Sequence, residues 1–486
     1  MRLLTMIGFL FITLSTYGQA EHVTEATSFV TVNAQALVIT HVRVIDGTAA
    51  SAKEDQSVIV TNGKIQSIGP AASIEVPRGA KLLDRPGYTV IPGLVGMHNH
   101  LYYNSSYSVQ IGVSGELGEP GFVITELPYS APRLYLAAGV TTIRTTGSIE
   151  PYADLKVKRR IDGNLMPGPS IDVTAPYLEG PPTRYAAMHE LSGPDDARRL
   201  VDYWTAEGAT SFKAYMNITR DELAAAIERA HAHKLKLTGH LCSVTWREAI
   251  ALGIDDLEHG PVFADTDFVF GKNQDICPPP AVREGSWVSM DINGAQVREL
   301  IQDLVSHHVA VTSTLPVFEA SRVPGRPKLQ ERTLNAMSAE SAQSYLTARA
   351  RIPNGSPGMT LLRKEMDFEV AFVKAGGLLL AGPDPTGNGG VLPGFGDQRE
   401  IELLVEAGFT PAQAIKIATE NGATYLGQQD RIGTLSPGKQ ADLVLIKGDP
   451  SRNIEDIENV ETVFKAGIGY DSARLVESVH AQVGIR

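Results

Sequence analysis

Two histidines close an apolar run, Thr89-Val90-Ile91-Pro92-Gly93-Leu94-Val95-Gly96-Met97-His98-Asn99-His100. A run rich in β-branched residues reads as a buried strand, and side chains two apart in a strand point the same way. Two imidazoles on one rigid strand end can ligate a single metal ion. Four more strand-like segments finish on residues of comparable chemistry: Lys213 in 211–215, His240 in 236–240, His259 in 255–259, and Asp384 just past 377–381. Taken singly, each has an ordinary reading: a hydrogen-bonded structural histidine, an N-cap or turn aspartate, a salt-bridged lysine. Six such residues at the ends of five strands instead mark one rim. Tyr215, two residues after Lys213, faces the same pocket, where it either binds a substrate oxygen or packs.

The elements that must position these residues alternate along the chain. Strand-like segments at 140–144, 170–174, 211–215, 236–240, 255–259, 310–313 and 377–381 follow the first strand, with helical spacing between most of them, as over 220–232 and 360–375. Eight strands in such alternation favour an α/β fold of the (β/α)₈ TIM-like barrel type over a doubly wound sheet, with the site at the C-terminal strand ends. On either side the texture is β-rich: 36–44, 57–60, 64–68 and 81–84 before it, 443–446 and 460–465 after it, with Asn62-Gly63 as a hairpin signal. The expected layout is therefore a barrel over 91–430 and a small β-sandwich domain built from both termini, residues 30–90 and 431–486. The connection 315–358 is long for a barrel loop and suggests a lid or an assembly surface, in keeping with a homo-oligomer. His231, His233, His307 and His308 fall near helix ends, and His22, His41 and His480 outside the barrel; none is assigned a role.

The 486 residues are 43% hydrophobic, enough for a large core, and the formal charge of -12 comes without a basic run. That balance argues against binding nucleic acid through a broad basic surface. Residues 1–20 carry Arg2, an apolar stretch and Gly18-Gln19-Ala20, the pattern of a cleaved secretory signal, with an uncleaved anchor as the alternative. No later apolar run is long enough for a stable membrane span, so an exported protein, periplasmic or extracellular, is expected. Cys242 and Cys277 are the only cysteines. They either pair in an oxidising compartment or remain two buried thiols.

The segments Ile91 to His100, Glu258-His259-Gly260 and Gly433-Thr434-Leu435-Ser436-Pro437-Gly438-Lys439-Gln440-Ala441-Asp442-Leu443 resemble the amidohydrolase superfamily, in particular its branch of Xaa-Pro dipeptidases (prolidases) and imidazolonepropionase-like proteins. The resemblance implies a divalent metal site: His98, His100 and Asp384 on one zinc ion, His240 and His259 on a second, and Lys213 bridging both as a carboxylated lysine. An ammonium group has no lone pair, so Lys213 could bridge only as a carbamate. A shared hydroxide would attack the substrate carbonyl, with Asp384 moving the proton to the leaving amine. The chain departs from the dipeptidase branch at two places. Thr145 follows Arg144 where Asp is usual, and Pro176-Tyr177-Leu178-Glu179-Gly180-Pro181-Pro182 stands where a Gly-Gly-His-Gly type of sequence is common, with a histidine only later at His189.

These readings predict a secreted metal-dependent amidohydrolase acting on a small, dipeptide-like amide, as a dipeptidase or N-acyl amino acid hydrolase. A cyclic-amide hydrolase of imidazolonepropionase type is the alternative within the class. A non-catalytic exported metal-binding protein is the alternative outside it, and an intact ligand set with an open position argues against that.

Overall fold

The apolar run before His98 serves two sheets. Tyr88–Pro92 pairs antiparallel with Leu443–Lys447, whereas Leu94–Gly96 pairs in parallel with Val140–Arg144. Gly93 is the joint between them: a Cβ there would lie 2.1 Å from the Thr141 hydroxyl oxygen, so a side chain cannot be accommodated.

The structure is a computed structural model that describes residues 25–102, 126–183, 188–385 and 390–485. The expected signal segment and His22 lie outside the described residues. In chain order the first strands are β1 (Val30–Val32), β2 (Ala36–Val44), β3 (Lys53–Thr61), β4 (Lys64–Pro70), β5 (Lys81–Asp84) and β6 (Tyr88–Pro92). Eight short strands follow: β7 (Leu94–Gly96), β8 (Val140–Arg144), β9 (Ser170–Asp172), β10 (Ser211–Ala214), β11 (Lys236–Gly239), β12 (Asp256–Glu258), β13 (Ala310–Ser313) and β14 (Leu379–Ala381). The chain ends with β15 (Leu443–Lys447), β16 (Val460–Lys465) and β17 (Ile468–Asp471).

β7 to β14 form a TIM-barrel-type array of parallel strands in two arcs, β7-β8-β9 and β10-β11-β12-β13-β14. Backbone hydrogen bonds reach across both gaps. Ala175 N donates to Ser211 O (2.9 Å) beside β10, and Met97 N donates to Ala381 O (2.8 Å) where β14 meets the end of β7. Between strands the helices carry local start signals. Arg220–Ala232 and Trp246–Leu252 each open on a threonine capping box, Thr219 with Glu222 and Thr245 with Glu248.

Strands from both termini join in one nine-stranded sheet, in which β15 and β6 are the contact between the two halves of the sequence. Leu37, Ile39, Val58, Val60, Val90, Leu443 and Phe464 form a core on it, separate from that of the barrel. Asn62 (φ 50°) and Gly63 (φ 73°) make the β3–β4 turn, both in the left-handed region that an Asn-Gly hairpin uses.

The segment 315–358 is not an extended loop. It holds the helices Leu315–Arg322, Glu331–Ala336 and Ala339–Ala350, so its length alone no longer argues for a lid or an assembly surface. Cys242 and Cys277 form a disulfide, the first of the two expected alternatives. Among the described residues no helix is long and apolar enough to cross a membrane.

Candidate metal centre

All six residues singled out at the strand ends meet at one rim. Each lies within or just beyond its strand: Lys213 inside β10, His240 after β11, His259 after β12, Asp384 beyond β14, and His98 and His100 beyond β7. His100 Nε2 is 3.2 Å from Asp384 Oδ1, and Lys213 Nζ is 3.1 Å from His98 Nε2. His240 Nδ1 is 2.9 Å from His259 Nε2. One ligand atom from each of His98, His259 and Asp384 lies within 4.8 Å of the others.

The backbone is bent to achieve this. His259 (φ 77°) and Asp384 (φ 51°) both adopt the left-handed conformation, unfavourable for residues with a Cβ. Such strain persists only where the surroundings fix it, and it clusters at functional sites. Gly382 supplies the room: a Cβ there would lie 2.2 Å from the His98 backbone nitrogen.

A layer of polar side chains below the rim, to which the sequence reading gives no role in the site, orients the ligand-type residues. His98 Nδ1 donates to Glu258 Oε2 (2.7 Å), which leaves its Nε2 lone pair turned inward. His259 Nδ1 meets Thr314 Oγ1 at 2.8 Å. Arg144, fully buried, donates to Met97 O (2.7 Å), Asp256 Oδ2 (2.7 Å) and Glu258 Oε1 (3.0 Å). Tyr135 hydroxyl donates to His100 O (2.8 Å), and Asn99 Nδ2 donates to Asp397 Oδ1 (3.0 Å). Charged residues within short strands of the barrel array, Arg144 and Glu258 above all, are the signal that could have identified this layer.

Burial holds the imidazoles in the form a metal needs. It pushes His98 and His259 well below the ordinary histidine range, lowers His100, and brings His240 to about 3. Burial alone would raise Asp384, but His98, a hydrogen bond with His100 and the Lys213 amine outweigh it and keep the carboxylate ionised. Lys213 is drawn down to about 8 by burial, partly offset by Glu258 and Asp384. Neutral imidazoles, an ionised carboxylate and a lysine near neutrality are a donor set that fits a borderline divalent cation such as zinc.

Tyr215 lies at the same rim, half-buried, its ring centroid 5.1 Å from that of His240 and 4.7 Å from that of Tyr177. His189 is elsewhere: it is exposed and its Nε2 pairs with Asp196 Oδ2 at 2.7 Å. His231 and His233 make surface pairs with Asp255 and Asp202.

Known proteins share this architecture. An imidazolonepropionase of Geobacillus kaustophilus is 22% identical over 438 residues, covering 85% of this chain and 89% of its own. The crystal structure of a Xaa-Pro dipeptidase with bound methionine superposes with a TM-score of 0.64 at 18% identity, over 90% of this chain and 100% of that one. The bottromycin amidohydrolase gives a TM-score of 0.66 at 20% identity, over 92% of this chain and 91% of that one. The model of the amidohydrolase family matches residues 89–468. The chain belongs to the amidohydrolase family and is a hydrolase acting on carbon–nitrogen bonds.

Proposed function

We propose that this protein is an exported, metal-dependent hydrolase of dipeptides or N-acyl amino acids. The observation that carries the reading is the convergence of His98, His100, Lys213, His240, His259 and Asp384 within hydrogen-bonding distances at one rim. His98, His100 and Asp384 would hold one ion, and His240 and His259 a second. Two zinc ions bound there would supply Lewis acidity, acidifying water and polarising the scissile carbonyl. Lys213 is suited to carboxylation: its neutral amine would add carbon dioxide, forming an N–C bond as one C–O π bond opens and one proton is released, and the resulting carbamate anion would help to hold divalent cations. Asp384 is ionised and can take a proton from the attacking water and give it to the leaving nitrogen. Tyr215, beside His240, would hydrogen-bond a substrate carboxylate or carbonyl oxygen.

The Cys242–Cys277 disulfide supports export, since such bonds persist in oxidising compartments. The same proposal takes residues 91–430 as a closed eight-stranded barrel, and 30–90 with 431–486 as a sandwich domain folded around the Leu37–Phe464 core.

A cyclic-amide substrate is the second reading, favoured by imidazolonepropionase relatives aligned over 81–85% of the chain. Purified protein supplied with zinc should be assayed against dipeptides, N-acyl amino acids and small lactams. Turnover of the first two, abolished by a chelator, is expected. Turnover of lactams alone would replace the first reading with the second, and inertness toward all three would overturn both.

A further inference from the structure

Beside the metal centre lies a cavity of about 250 Å³ between the helices Pro151–Asp162 and Pro194–Glu207. A cavity of about 150 Å³ lined by apolar residues suffices for benzene, so this one has room for a phenyl or indole group. Its walls are mainly apolar: Ile149, Tyr177, Leu178, Leu200, Tyr203 and Trp204. Among the described residues its polar edge is paired: Arg199 Nε donates to Asp196 Oδ1 at 3.1 Å and His189 holds the other oxygen of the same carboxylate.

Tyr177 is the wall shared with the rim. Its ring, almost fully buried, faces Lys213 Nζ at 5.3 Å from the ring centroid and packs against Tyr215 at 4.7 Å. Gly147 (φ 95°) seats the ring, since a Cβ there would lie 2.4 Å from it. The opposite wall is aromatic as well: Trp204 sits 5.2 Å from Tyr152 and 5.1 Å from Tyr203, centroid to centroid. Tyr203 is 45% exposed, which leaves the cavity an opening to solvent.

We propose that this cavity receives an uncharged aromatic or branched apolar side chain of the substrate, one ring's thickness away from the scissile amide. The proposal rests on the amide-hydrolase reading above. An apolar, pre-formed pocket next to a polar reaction centre is how small-molecule sites combine affinity with orientation. Aromatic walls favour edge-to-face contact with an incoming ring, and a charged side chain would be desolvated there without a partner.

Two measurements separate this proposal from the reading on which it rests. The first is the ratio of kcat/KM for N-acetyl-L-phenylalanine over N-acetylglycine, in the zinc-loaded wild type and in Leu200→Trp, which fills the cavity. The ratio should exceed one in the wild type and fall at least about fivefold in the variant; a smaller change overturns the proposal. The second needs no turnover. In protein labelled with 5-fluorotryptophan, the ¹⁹F resonance absent from Trp204→Phe should move on titration with N-acetyl-L-phenylalanine and not with N-acetylglycine. If neither compound is hydrolysed but the resonance moves, the pocket stands and the assigned substrate class fails. If both are hydrolysed and the resonance is unmoved, the pocket is overturned and the activity stands.

Discussion

His98 Nδ1 lies 2.7 Å from Glu258 Oε2, and both side chains are shut off from solvent. The carboxylate can only accept, so this contact fixes the imidazole with its proton on Nδ1 and its lone pair on Nε2. Glu258→Gln keeps the shape but lets an amide donor compete for that position. Metal affinity should fall about 10–100-fold, measured by competition with a chromophoric chelator. Equal affinity in wild type and variant would show that Glu258 does not orient the ligand.

The neutral histidines give a pH signature in the metal-free protein. His240 titrates near 3 when folded, against an ordinary value of 6.5, because burial disfavours its charged form. Between those values the unfolded chain binds the extra proton, so stability from this group is lost as pH falls below 6.5, by about 1.4 kcal/mol per pH unit. Asp154 and Glu179, raised by burial to about 7 and about 8, act in the opposite sense, so the test must be a difference. Between pH 7.5 and 5.5, urea unfolding of metal-free wild type should lose about 1.4 kcal/mol more than that of His240→Gln. Equal losses would contradict burial of a neutral His240.

The disulfide closes a loop between residues 35 apart in sequence. Loop-closure entropy of that length corresponds to about 3–4 kcal/mol. The Cys242→Ala/Cys277→Ala double variant should lose stability of that order in denaturant unfolding, and reductant should lower the wild-type melting temperature. A melting temperature indifferent to reductant would show that the bond does not form.

Much of this was legible in the sequence because the ligand-type residues follow directly on short apolar strands. Leu94–Gly96 and Lys236–Gly239 each hand over to a histidine within two residues, and the parallel-strand pattern brings all such ends to one side. The break at Gly93 was not legible, since an apolar run carries no mark of which sheet each half joins; only the contact with Thr141 reveals it. Two of the helices in 315–358, Leu315–Arg322 and Glu331–Ala336, escaped because they are short and irregularly capped. The Arg144, Asp256 and Glu258 layer is a tertiary feature, assembled from β8 and β12, which no local pattern joins. Pro176 to Pro182 stood out only as a departure from relatives, yet Tyr177 and Leu178 within it wall the apolar cavity.

The most direct test of the account is metal stoichiometry measured together with turnover in wild type and Lys213→Ala, each purified with zinc and bicarbonate. The wild type should carry two equivalents of zinc per chain and hydrolyse an N-acyl amino acid or dipeptide. Lys213→Ala should lose at least one equivalent and most activity, and a short carboxylate added from solution should partly restore both. Lys213→Arg should fail as well, since a guanidinium stays charged and forms no carbamate. Full metal content and near-normal turnover in Lys213→Ala would contradict a lysine-bridged pair of ions at this centre.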